Sequence, residues 1–417
     1  MSSVESSGWR VPMVARDTGQ EHRSSTPLEL LFDLCFVVAV AQAASRLHHA
    51  LAENHLAEAL IGYPMVFFAI WWAWMNFTWF ASAYDTDDVP YRLAVLVQIA
   101  GALILAAGVE RAFDDRNFAV MTIGYVVMRS ALIALWVRAG RANPEARPAT
   151  IRYAVGVAAC QVGWLVLLVL PEGLAAAGFV VGVVAELLVP VWAERVCPTS
   201  WHPGHITERY GLFTLIVLGE SVLAATTSVS DGLDAHEPLA GIGTIAGGGV
   251  LIIFAMWWLY FDQPTDERAD RARREAEEES TRTAFAWGYG HYPVFASAAA
   301  LGAGLELAVD RATDHSALTG PFASATVTIP VAVFLLSVWL LHRDEKAHGF
   351  LRTATIPIAV VLVLATTWLG QPVLATGILL AGLVTVSVVI GHHVAGAEPA
   401  PAERPPTSDT TTTGPVA

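Results

Sequence analysis

The chain has 417 residues, of which 54% are hydrophobic and only 15% charged, and its mean hydropathy is +0.51. A soluble domain would carry roughly a quarter charged residues, so composition excludes an ordinary soluble fold. The net charge of −14 argues against a nucleic-acid partner, and Cys35, Cys160 and Cys197 show neither disulfide nor metal-ligand spacing.

Residues 1–25 are polar and lack the apolar core and cleavage site of a signal peptide, so they read as a disordered cytoplasmic tail. Apolar runs of about 20 residues then recur without alternation, which predicts an all-α, polytopic membrane protein rather than a β-barrel. Twelve spans are predicted, at 27–49, 60–83, 91–113, 117–138, 151–170, 173–193, 206–228, 239–261, 283–309, 321–342, 353–370 and 372–394. The break at Gly370-Gln371-Pro372 is very short. Between spans 8 and 9, the mixed charges from Asp262 to Arg282 predict a solvated helix with internal ion pairs. The Pro- and Thr-rich stretch 395–417 reads as a second disordered cytoplasmic tail.

Basic residues orient this scheme. Nineteen of the 24 fall on the side of the N-terminus, four on the other, and Arg129 lies within span 4. By the positive-inside rule both termini are cytoplasmic.

Two local matches suggest an internal repeat. Ile70-Trp71-Trp72-Ala73-Trp74 in span 2 is similar to Met256-Trp257-Trp258-Leu259-Tyr260 in span 8. Leu105-Ala106-Ala107-Gly108-Val109-Glu110 in span 3 is similar to Leu301-Gly302-Ala303-Gly304-Leu305-Glu306 in span 9. A constant interval of six helices implies two parallel halves, 26–194 and 195–394, related by an axis along the membrane normal.

Polar residues inside the spans are the candidate site. Thr26-Pro27-Leu28-Glu29 reads as a capping box, with Asp33 one turn deeper on the same face as Glu29. Capping is the simplest role for Glu29. Asp33, Asn76, Gln98, Arg129, Glu186 and His291 all fall about 10–13 Å inside the cytoplasmic boundary, which suggests one hydrated or ion-paired layer. Asp33 and Arg129 would pair within it, either to fix helix register or to serve a substrate. For His291 the alternative is a satisfied core histidine, the commoner fate of a lone histidine. Glu110 and Glu306, near outer helix ends, can snorkel. Glu220 lies near the midplane among Gly219, Ser221, Ala224 and Ala225, beyond reach of either interface. His205, Glu208 and Arg209 form a cluster at the cytoplasmic start of span 7; with His202 they only loosely match a metal-ligand pattern. Trp71, Trp72, Trp74, Trp79, Trp257 and Trp258 would anchor, pack between helices or line a constriction.

Glu29-Leu30-Leu31-Phe32-Asp33-Leu34, Glu208-Arg209-Tyr210-Gly211-Leu212-Phe213-Thr214 with Leu218-Gly219-Glu220-Ser221, and Tyr289-Gly290-His291-Tyr292-Pro293 together resemble the bacterial low-temperature-requirement protein A family (LtrA). The resemblance spans residues 26–394. It implies a multi-pass membrane protein linked by name to growth in the cold, and supplies no substrate. The leading expectation is a transporter or channel-like permease of the bacterial cytoplasmic membrane, using the intramembrane acids and His291 for a proton or small cation. The alternatives are a membrane enzyme acting on lipid or a lipid-linked substrate, and a non-transporting protein that supports growth in the cold. No nucleotide, haem or flavin motif occurs, so no cofactor is expected.

Overall fold

The capping box at Thr26 starts the first helix: Thr26 Oγ1 accepts from the Glu29 amide at 3.3 Å, while Glu29 Oε2 accepts from the Thr26 amide at 2.8 Å. The computed structural model describes residues 9–16, 24–234, 239–262, 280–342 and 350–395, and among these it is helical throughout, with no strand. The helices are α1 (Pro27–Ala52), α2 (Leu56–Tyr84), α3 (Val89–Ala107), the short α4 (Val109–Asp114), α5 (Ala119–Ala142), α6 (Arg147–Leu167) and α7 (Glu172–Glu194). They continue as α8 (Pro203–Asp234), α9 (Leu239–Phe261), α10 (Ser280–Ala312), α11 (Gly320–His342), α12 (Phe350–Ala365) and α13 (Pro372–Ala395).

Eleven of these are long and apolar enough to cross a membrane; Ala354–Trp368, which includes a closing 3₁₀ turn, is a shorter apolar helix. The predicted third span is divided at Gly108, which caps α3 and opens α4. The predicted charged run between α9 and α10 lies, over 263–279, outside the described residues, as do 1–8, 17–23 and 396–417 of the two tails. Outward faces of α6 and α7 carry Val162, Val180 and Val181, each more than half exposed. Lipid tolerates such a surface and water does not, because the helical backbone is already satisfied internally.

The α1 helix is the hub, packing against α2, α3, α8 and α10, so both predicted halves meet on it. The two copies of the glycine motif behave alike. A Cβ on Gly108 would fall 2.5 Å from the Met121 amide of α5, and one on Gly304 would overlap the Thr326 carbonyl of α11. Each glycine therefore lets its helix meet the next one backbone to backbone. The tryptophan motif does not behave alike: Trp71 and Trp72 are buried, whereas Trp257 and Trp258 are about 40% exposed.

Residues 9–16, which belong to the tail read from the sequence as disordered, are docked. The Val11 amide donates to Asp88 at 2.9 Å, Arg138 binds both Asp88 and the Val11 carbonyl, and Asn143 holds Met13 and Ala15. Met13 is fully buried. Burial alone would raise the Asp88 carboxyl, but the hydrogen bonds from Arg138, Val11 and Tyr91 outweigh it and hold the group below its ordinary range.

Candidate functional site

Glu29 and Asp33 lie four residues apart on α1, and His205 and Arg209 lie four apart on α8. Each pair occupies one helical face, and the two faces meet. Arg209 grips Asp33 with two hydrogen bonds, Nε to Oδ2 at 2.8 Å and Nη2 to Oδ1 at 2.5 Å. Its Nη1 lies 3.3 Å from Glu29 Oε1, and His205 Nε2 reaches that same oxygen at 3.2 Å. From α2, the Trp74 indole donates to Asp33 Oδ1 at 2.7 Å, and Thr78 Oγ1 accepts from Arg209 at 3.3 Å. All four ionisable side chains are essentially inaccessible to solvent. Two carboxylates face one guanidinium, so the formal charge is one negative unless a proton or cation is present. Glu29 thus serves this centre as well as the capping box, a role that capping alone had hidden.

A second buried centre joins α5 to α7. Arg129 Nη2 lies 3.7 Å from Glu186 Oε2 and donates to Tyr125 Oη at 2.6 Å. Glu186 is held mainly by neutral donors: the indoles of Trp72 at 2.9 Å and Trp164 at 3.0 Å, with Tyr125 and Gln161 each at 3.5 Å. Arg129 Nε and Nη1 have no hydrogen-bond partner among the described residues. The expected pairing of Asp33 with Arg129 is therefore incorrect. Equal depth was read as proximity, but the helices carrying these residues deliver them to different partners. The single polar layer is two centres, with α2 donating an indole to each. Trp72 and Trp74 are two residues apart, about 200° around the helix, so they point opposite ways.

The remaining candidates are placed separately. His291 is buried, its Nδ1 at 2.9 Å from the Trp287 carbonyl and its Nε2 at 3.2 Å from Tyr260 Oη, with Tyr210 and Phe295 against the ring. Asn76 donates to the Trp72 carbonyl one turn back, at 2.8 Å. Glu208 leaves the cluster: its carboxylate accepts from the Ser25 amide at 3.1 Å. Glu220 is half-buried, and Ser221 beside it donates to the Ala298 carbonyl of α10 at 2.8 Å. Among the described residues, no group of three or more His, Cys, Asp or Glu side chains is placed to hold a metal.

At the opposite end of α1, His48 bridges two acids of α10. Its Nδ1 is 3.0 Å from Glu306 and its Nε2 is 2.7 Å from Asp310. Nearby, Arg46 pairs with Glu110 at 3.4 Å and Asp114 at 3.1 Å. Sequence reasoning passed over His48 and Asp310. Their signals were a histidine near the end of α1 and a second acid four residues after Glu306. The indole donors were also missed, since an apolar span gives no sign of which tryptophan N–H meets a carboxylate.

The chain resembles an uncharacterised protein of Rhizobium meliloti (strain 1021), at 25% identity over 341 residues, covering 79% of this chain and 80% of that one. No solved structure matches. The family described as bacterial low temperature requirement A protein (LtrA) matches residues 24–390, which include every side chain of both buried centres. This chain, a multi-pass membrane protein by its run of long apolar helices, belongs to the LtrA family.

Proposed function

We propose that the protein is a transporter or channel-like permease of the bacterial cytoplasmic membrane that moves a proton or small cation along intramembrane acids. The observation that carries this reading is the spread of ionisable groups along the α1–α8–α10 interface. Glu29, Asp33, His205 and Arg209 stand at one end, and His48, Glu306 and Asp310 at the other. Glu220 stands between, eleven residues beyond Arg209 on α8 and hence about 16 Å further along. It makes no hydrogen bond or ion pair among the described residues and is close enough to Glu306 for like-charge repulsion. Ionisable groups are costly inside a membrane, and rows of them are a hallmark of proton relays. In this reading Asp33 with the His205/Arg209 cluster receives the cation, Glu220 passes it on, and Arg129, Glu186, Asn76 and His291 fix the surrounding helices. Glu208 lies at the mouth. The burial of His205 and Arg209 leaves no open face on these two side chains for a lipid substrate.

The same reading counts Ala354–Trp368 as a twelfth crossing, puts both termini in the cytoplasm and divides the chain into two parallel halves of six. The basic-residue asymmetry supports the orientation. The matching glycine contacts at 108 and 304 support the repeat, and the differing tryptophan environments weigh against that part of the alignment. Labelling of a cysteine in the 262–282 loop from outside the cell would overturn the orientation.

Flux through purified protein in liposomes under imposed pH and cation gradients tests the activity. Glu220→Gln keeps the shape and removes the titration, so it should fold normally and lose flux or its pH dependence. Wild-type protein that conducts nothing, or a folded Glu220→Gln protein with unchanged pH-dependent flux, would sink the proposal.

A further inference from the structure

At the end of the molecule where α1 terminates, α9, α10, α11 and α13 surround a cavity of about 260 Å³. Thr244, Arg311, Ser324 and the start of α13 at Gln371, Val373 and Leu374 line it, and among the described lining residues Arg311 is the one with a charge. Close packing builds this wall. A Cβ on Gly248 would fall 2.7 Å from the Leu374 amide nitrogen, and one on Gly377 2.7 Å from the Gly248 carbonyl, so α9 and α13 cross backbone to backbone. That crossing fixes the first turn of α13 in the cavity wall. The N–H groups of Val373 and Leu374 have no intrahelical acceptor there, and they form the positive end of a 24-residue helix. The Ala375 amide does find one, the Gln371 carbonyl at 3.0 Å.

Ser324 is an independent sign of a ligand. It is 5% exposed, lines the cavity, and its hydroxyl makes no hydrogen bond among the described residues. A helical serine or threonine commonly returns its hydroxyl to a carbonyl three or four residues back, as Thr328 and Thr244 do here. For Ser324 that carbonyl belongs to Gly320, and Arg311 Nη1 is the group that approaches it, at 3.5 Å. The long contact leaves most of the guanidinium's donors available, and no described carboxylate pairs with it. An arginine that merely snorkels to the interface would explain Arg311 alone. It would not explain an unpartnered hydroxyl and the first turn of α13 lining the same cavity as the guanidinium.

We propose that this cavity binds an oxyanion, a phosphate carried either by a small solute or by a phospholipid headgroup. Backbone amides at a helix start and a forked guanidinium are the donors such a group takes. The inference is independent of the transport reading, because binding is measured without flux. In detergent micelles, inorganic phosphate should raise the unfolding temperature of the full chain saturably, above chloride at matched ionic strength. Arg311→Gln should weaken phosphate about tenfold or more, and Ser324→Ala about threefold, with unfolding temperatures unchanged when phosphate is absent. If the source is lipid, inorganic phosphate will do nothing. Native mass spectrometry should then find phosphatidylglycerol retained by the wild type and lost from Arg311→Gln. Absence of both effects, or effects of equal size in the two variants and the wild type, would overturn the proposal.

Discussion

The two buried arginine centres solve the same problem in opposite ways. At Asp33 the charge is met by charge: Arg209 binds it through two short, aligned hydrogen bonds, and an indole adds a third. At Glu186 the nearest guanidinium nitrogen stays at 3.7 Å, and neutral indole, phenol and amide donors do most of the work. The first centre ties α1 to α8 across the two predicted halves, while the second lies wholly within the first half. Direct pairing makes the first centre depend on one partner, and it brings a surplus carboxylate, Glu29, along with it. Distributed neutral donors hold the second without any bidentate partner, and Nε and Nη1 of Arg129 are left with no hydrogen-bond partner among the described residues.

The comparison breaks most readily at Asp33. Asp33→Ala leaves Arg209 buried beside a single, more distant carboxylate, so unfolding in mixed micelles should show a loss of about 3–5 kcal/mol. Adding Arg209→Met should recover part of that loss. A loss typical of a surface substitution would mean the pair is solvated. Next come the two indoles, each donating to a charged acceptor. Trp72→Phe and Trp74→Phe should each cost about 1.5–3 kcal/mol. Trp72→Phe should cost the more, because Glu186 has no bidentate partner to fall back on; the reverse order would undo the distinction between the centres.

A smaller effect sharpens their independence. The coupling between Asp33→Ala and Arg129→Gln in a double-mutant cycle should be within about 0.5 kcal/mol of zero, as expected for sites without shared partners. Coupling well above that would merge them into one network. The smallest effect concerns Asp88, outside both centres. Its carboxyl is depressed in the fold, so its contribution is fully present above the unfolded value of about 3.9 and is lost as pH falls through the lower folded value. Protease access to residues 9–16 should rise only below that range, and Asp88→Asn should abolish the pH step.

Much of the architecture was legible in the chain. Thr26-Pro27-Leu28-Glu29 announced the start of α1, because capping is decided by neighbours three residues apart. The apolar runs announced the other long helices to within a few residues, since a membrane-length helix satisfies its own backbone and needs no partner to do so. Asp33, Arg129 and Glu186 were visible as costly groups inside the spans, and Arg209 only as part of a cluster at the cytoplasmic start of one. Their partners were not. Depth along a span is one coordinate, whereas contact also requires knowing which helices are neighbours and how each is turned about its axis. Asp33 and Arg209 are 176 positions apart, as are no two residues that local spacing can relate. For the same reason the pairing of His48 with Glu306 and Asp310, the opposed indoles of Trp72 and Trp74, and the cavity at Arg311 and Ser324 were decided only by the packing of α1, α2, α8 and α10 and of α9, α11 and α13 around them.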